Sequence, residues 1–189
     1  TKVTEGLKGR LPIILYNGAF VLENESKNIL VSNFFHNDTV RYVLDTLLEN
    51  DIYPLVYSLD GKDEHFNFVN EDEHITWGLR HFLDSRGNDP RYNPLSNADE
   101  LYKDNIFYFT CIDEPDKLEP LYELFKADER LNCVYQVDIY SKAQWLEIMP
   151  KTASKDNAIR QLKAHLGCQK VVVFGDGKND VDMFEMADE

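Results

Sequence analysis

The densest chemistry in the chain lies in V-V-V-F-G-D-G-K-N-D, residues 171–180. Lys170–Phe174 reads as an unbroken apolar strand of the kind buried on both faces of a parallel sheet. Such a strand delivers its C-terminal end to the ligand-binding edge of an α/β sheet, and Asp176 follows it directly. Gly175 and Gly177 strip side chains from the turn, so a ligand can approach the backbone. Asn179 and Asp180 fall where the next helix starts, near its exposed N–H groups and positive dipole end. Two carboxylates, an amide and free backbone donors within five residues suit a hard, oxygen-seeking cation such as Mg²⁺. The same residue types also make an ordinary turn ahead of an Asp-capped helix, and physics alone leaves both readings open. A second feature stands about twenty residues earlier. Lys155 sits in the first turn of a helix, where the dipole disfavours a cation; either an anion holds it, or it is an exposed lysine paying only tenths of a kcal/mol.

The elements that must position these residues alternate between strand and helix, which makes the chain an α/β protein. Leu11–Leu15 is a short strand stopped by the turn pair Asn17-Gly18, and Ala19–Leu22 with Ile29–Phe35 reads as a hairpin. Val40, Val43, Leu44, Leu47 and Leu48 repeat with helical spacing, predicting a helix over 38–50 capped by Asn37 or Asp38. Ile52–Leu59 and His65–Val69 pair across Asp60-Gly61. Residues 72–86 read as helix, with Glu71-Asp72-Glu73 at its N-terminus, and the Pro-, Asn- and Ser-rich stretch 87–99 as loop. Asn105–Ile112 is a strand, and Pro115 opens a helix. Cys133–Tyr140 and Trp145–Met149 are strands. Ser154 caps a helix with apolar face Ala158, Ile159, Leu162 and Leu166, closed by Gly167. The doubly buried strands at the two ends suggest one domain, with a half-exposed sheet inserted between.

Composition narrows the function. Twenty basic against 34 acidic residues give a net charge of −14, which argues against nucleic acid and against an anionic membrane surface. There is no run of 18 apolar residues and no secretory leader pattern, and three sparse cysteines, Cys111, Cys133 and Cys168, read as reduced core thiols; a cytoplasmic protein is expected. The histidines lack metal-ligand spacing, and no G-x-x-x-x-G-K-[ST] phosphate loop is present. Trp77, Tyr92 and Trp145 read as core, with a substrate pocket as the alternative.

The pairing of P-K-x-x-S-K-D-x-A-I with G-D-G-x-N-D resembles the third and fourth motifs of the haloacid dehalogenase superfamily, and more narrowly its Cof-like phosphatases. Tyr16-Asn17-Gly18-Ala19 matches the "NGA" segment that precedes the cap in that subfamily. The resemblance implies a partial Rossmann-like core with a parallel sheet and a large inserted α/β cap, divided as 1–35 core, 36–147 cap and 148–189 core. It implies Asp176 as a Mg²⁺ ligand, with Asp180 supporting the metal. It gives Asn179 and Asn17 to the metal or phosphoryl site, and Lys155 to neutralising charge on the phosphoryl group and the nucleophile. The implied reaction is hydrolysis of small phosphorylated metabolites, such as sugar phosphates, through an aspartyl-phosphate. The family's first motif, D-x-D-x-[TV], is not found in residues 1–189, nor is a convincing second motif. Leu59-Asp60-Gly61-Lys62 reads as a hairpin turn, and Asp180-x-Asp182 opens a helix. The expectation is therefore an inactive piece of a longer phosphatase that leaves apolar faces uncovered. The rival expectations are a non-catalytic remnant that binds a phosphorylated ligand or a partner, and a phosphosugar mutase.

Overall fold

A computed structural model describes residues 9–87, 89–138, 141–175 and 180–189. The chain divides into two compact units, one from Thr1–Asn33 with Thr152–Glu189, the other the continuous segment Phe34–Lys151. Residues 148–150, expected with the chain ends, stay with the middle because they complete a strand whose Pro150 pairs with Leu131.

In the unit formed by the chain ends, β1 (Pro12–Leu15), β2 (Phe20–Glu23) and β3 (Ile29–Ser32) make an antiparallel sheet in that order. The Asn17-Gly18 pair ends β1 as expected. It does so as a kinked turn over Tyr16–Gly18, with Asn17 left-handed at φ 51°. Helices α4 (Lys155–Leu166) and α5 (Val181–Met186) complete the unit. The strand expected at Lys170–Phe174 does not form. Its backbone groups bond instead to the last residues of the chain, Val173 N to Glu189 O at 3.1 Å and Asp188 N to Val171 O at 2.9 Å. An apolar run becomes a buried strand only where neighbouring strands meet it on both sides; here Phe174 is 90% exposed. The expected apolar face of α4 is also only partly covered: Ala158 is buried, while Leu166 is exposed.

The middle unit is a six-stranded sheet in the order β6-β5-β4-β7-β9-β8, from β4 (Leu55–Asp60), β5 (Asp63–Val69), β6 (Tyr92–Leu95), β7 (Ile106–Asp113), β8 (Leu131–Val137) and β9 (Gln144–Pro150). Its helices are α1 (Asn37–Glu49), α2 (Trp77–Arg86) and α3 (Pro115–Lys126). Val40, Val43, Leu44 and Leu47 of α1 join Leu118, Leu121 and Phe125 of α3 in one cluster with Val56, Phe109, Cys111 and Ile148. Each fully buried Val, Leu or Phe there contributes about 1.5–3 kcal/mol. The opposite face carries α2, where Gly78 lies so close to the sheet that a Cβ would stand 2.6 Å from Ile112 Cγ2. Covered on both sides, β7 is buried along seven of its eight residues.

β6 lies inside the stretch expected to be loop. It pairs in parallel with β5 and is held by Asn93 Nδ2 donating to the buried Asn67 Oδ1 at 2.6 Å. Pro94 is tolerated because the strand is at the sheet edge. The acidic run Glu71-Asp72-Glu73 does not open α2. It lies on and before a separate 3-10 turn, and Thr76 caps the helix. Trp77 is 68% exposed at the start of α2, stacked on His81, so it is not core. Trp145 packs edge-on against Phe82. Of the cysteines only Cys111 is fully buried; Cys168 is exposed.

Glu147 on β9 stands between Thr110 of β7 and Val134 of β8. Burial pushes its carboxyl above the ordinary value of 4.5, while a hydrogen bond from Tyr108 acts in the opposite direction. A carboxyl whose folded-state pKa is raised favours folding below its unfolded value, and that contribution is lost as pH rises through the folded value. Glu147→Gln should therefore melt a few degrees above the parent at pH 7, the gap closing towards pH 4, as read by thermal denaturation at both values.

Candidate functional site

Local rules place Lys155. Ser154 adopts extended backbone, its Oγ accepts from Asn157 N at 3.3 Å and so caps α4, and Lys155 is the first helical residue. At the other end Gly167 takes the left-handed conformation at φ 66°, with Cys168 N donating to Lys163 O at 3.1 Å. Asp156 follows in the favourable acidic position and accepts from Ser154 Oγ at 2.5 Å. The lysine is thus held where the dipole opposes it, and the compensating anion belongs to the chain itself. Lys155 Nζ lies 2.5 Å from Asp180 Oδ1, the carboxylate side chain being 9% exposed and the lysine 29%.

Asp180 precedes α5, but its side chain makes no capping bond to that helix. This separates the two readings of the segment at that residue: the carboxylate is turned towards Lys155 rather than spent on a cap. Gly175 makes room for it. A Cβ there would stand 2.6 Å from Asp180 Oδ2 and 2.9 Å from its Cβ, so the space that the glycine leaves is taken by the Asp180 side chain. The freedom expected to admit a ligand instead admits an acid.

The Asn17-Gly18 turn abuts the same helix end. Gly18, at φ +105°, is so near the start of α4 that a Cβ would come 2.2 Å from Ser154 O. The structure therefore draws Asn17, Lys155 and Asp180 to one end of α4, with Gly18 and Gly175 providing the close approaches. Asp176 and Asn179 lie outside the described residues. The sequence reading did not single out Asn33, a buried amide bonded to Gly18 O at 2.9 Å; its only signal was the polar pair Ser32-Asn33 between the apolar segments I-L-V and F-F. In the middle unit, Glu71, Glu73 and His74 offer ligand atoms within 4.8 Å of one another, and exposed acidic groups are common without an ion.

A lysine–carboxylate pair at a helix start and a glycine cradle under the acid are what the two C-terminal motifs would have to build, and the "NGA" turn packs on that start. The family model of the haloacid dehalogenase-like hydrolases matches residues 1–189. The chain belongs to that family. A "Putative phosphatase" of Streptococcus pyogenes is 33% identical over 90 residues, covering 47% of this chain and 32% of its own length. A protein of the same description from Haemophilus influenzae is 47% identical over 47 residues, covering 24% of this chain and 18% of its own. The chain thus spans a third or less of these curated relatives.

Among solved structures, a haloacid dehalogenase-like hydrolase from Bacillus subtilis superposes with a TM-score of 0.71 at 19% identity, over 98% of this chain and 70% of that one. A subclass IIB sugar phosphatase of the superfamily gives 0.61 at 14% identity, over 90% and 59%. At these identities the likeness is one of fold, and it establishes the α/β architecture. No helix among the described residues of this haloacid dehalogenase-like hydrolase is long and apolar enough to cross a membrane.

Proposed function

We propose that this chain carries the phosphate- and metal-facing half of a Mg²⁺-dependent phosphomonoesterase acting on small phosphorylated metabolites such as sugar phosphates. The observation that carries the reading is the Lys155–Asp180 pair, with Asp180 seated over Gly175 instead of capping its helix. The sugar phosphatase among the fold neighbours supports the substrate class. The middle unit, Phe34–Lys151, would be the inserted cap, a reading supported by its being one continuous segment between the two parts of the other unit.

A buried carboxylate set into a glycine cradle suits a hard cation, so Asp180 together with Asp176 would hold Mg²⁺. Magnesium, when bound, supplies charge neutralisation on the transferring phosphoryl group. Lys155 is fixed by its cap and its acid, and presents its remaining N–H donors to phosphoryl oxygens. Asn17, left-handed in the turn whose Gly18 abuts Ser154, would supply an amide to the phosphoryl group. The nucleophilic aspartate has to come from D-x-D-x-[TV], which residues 1–189 do not contain, so the chain by itself binds without turning over.

Two measurements on the 189-residue chain test this. Calorimetric titration with inorganic phosphate should show binding that strengthens with Mg²⁺ and is lost in Asp180→Ala; phosphate binding indifferent to both would overturn the reading. Hydrolysis of p-nitrophenyl phosphate should stay at the level of an Asp176→Ala control. Mg²⁺-dependent turnover that disappears in that control would place the nucleophile among carboxylates assigned here to other roles.

A further inference from the structure

We infer that Asn33 is a positioning residue for Lys155, an inference that rests on the role given to that lysine above. Asn33 follows β3 and is 6% exposed, a buried polar side chain between the exposed Ser32 and the pair Phe34-Phe35. A buried amide is retained only where its donors and its acceptor are met. Those of Asn33 are divided between two elements. Its Nδ2 donates to Gly18 O at 2.9 Å and to Gln161 Oε1 on α4 at 3.4 Å, and Gln161 Nε2 donates back to Asn33 Oδ1 at 3.4 Å. Its backbone N donates to Ala19 O at 2.8 Å.

One residue therefore grips the "NGA" turn through two successive carbonyls and grips α4 through a reciprocal amide pair. The turn and the helix start are already in contact where Gly18 meets Ser154, and Ser154 caps the helix whose first residue is Lys155. Gln161 lies six residues beyond Lys155 on the same rigid helix, so the amide pair fixes the rotation of α4 about its axis and with it the direction of the lysine. An apolar residue at position 33 could fill the space but would leave Gly18 O and the Gln161 amide without this partner. Asn33 acts on Lys155 through these elements and touches neither Lys155 nor Asp180 in the bonds described.

The test is the rate at which Lys155 takes up an amine-reactive label, read by mass spectrometry against Lys62 of the middle unit as internal reference. Asp180→Ala sets the rate of an unpaired Lys155. Asn33→Ala and Gln161→Leu should raise the Lys155 rate about two- to tenfold, the equilibrium value of one net hydrogen bond. Val21→Ala, a cavity in buried β2 of the same unit, controls for general loosening and should leave the ratio unchanged. Should Asn33→Ala fail to fold, Gln161→Leu at its half-buried site decides. An unchanged Lys155 rate in the folded amide variants, or an equal rise in Val21→Ala, overturns the proposal. The labelling needs neither metal nor phosphate, so failure of the phosphohydrolase reading would appear in the titrations and not here.

Discussion

Gly18→Ala should cost about 3 kcal/mol or more and abolish the folded chain-end unit, because two penalties add at one atom. A residue with a side chain held at φ +105° is strained wherever it sits. Here the new Cβ would also stand 2.2 Å from a backbone carbonyl oxygen, that of Ser154, which cannot rotate away as a side chain could. Relief requires α4 to move off the turn, and that breaks the alignment of Ser154, Lys155 and Gln161 together. The loss should be local at first. The six-stranded sheet has its own cluster around Val43, Phe109 and Phe125, and regions of one chain open with different free energies. Urea denaturation followed by hydrogen exchange should show protection lost across β1–β3 and α4 while β7 and β9 keep theirs. A variant within about 0.5 kcal/mol of the parent, the range of an ordinary surface substitution, would mean that the turn is not held against α4 as described.

The pieces of this arrangement differ in how far the sequence discloses them. Ser154 and Gly167 are legible because capping depends on a few adjacent residues, and both ends of α4 follow from them. The β4–β5 hairpin is equally local: it is registered from Val56–Asn67 to Asp60–Asp63, so the turn falls on Gly61-Lys62, one residue beyond the Asp60-Gly61 pair expected. The Lys155–Asp180 pair spans 25 positions in sequence, and no periodic pattern reports a contact of that separation. Its two members could be nominated one at a time from resemblance to a family, but that the acid faces the lysine, and not its own helix, emerges only from the packing. The misread segments fail for a related reason. An apolar run such as Lys170–Phe174 states that burial is wanted, and a strand needs a partner that the run does not specify. In Tyr92–Leu95 the turn-forming composition outweighed a four-residue edge strand whose register depends on Asn67, a residue in a different element. The role of Asn33 is hidden for the same cause, since its two partners come from elements on either side of a long insertion.

Lys155→Ala should change two affinities in opposite directions, and that divergence separates a phosphate-facing lysine from a purely structural one. Inorganic phosphate should bind roughly ten- to a hundredfold more weakly, the equivalent of the 1.5–3 kcal/mol that a hydrogen bond to a charged group provides. In any form of the protein that turns over, the same change should lower the rate constant by about 10²–10³, as loss of a preorganised donor to a developing anion does. Mg²⁺ should meanwhile bind several-fold more tightly. The cation that neutralises Asp180 at 2.5 Å would be gone, and the freed carboxylate would face the metal without a competing positive charge. Lys155→Arg would not restore the phosphate affinity, because a planar guanidinium does not fit a position shaped for a compact ammonium beside a single carboxylate oxygen. Calorimetry with each ligand in turn measures both effects. If both ligands weakened together, the lysine would serve only to hold Asp180 and α4 in place; if phosphate affinity alone were unchanged, the ammonium would face its acid and nothing else. The expected pattern, weaker anion and stronger cation from one deletion, requires Lys155 to stand between the two charges that a phosphoryl-transfer site must bring together.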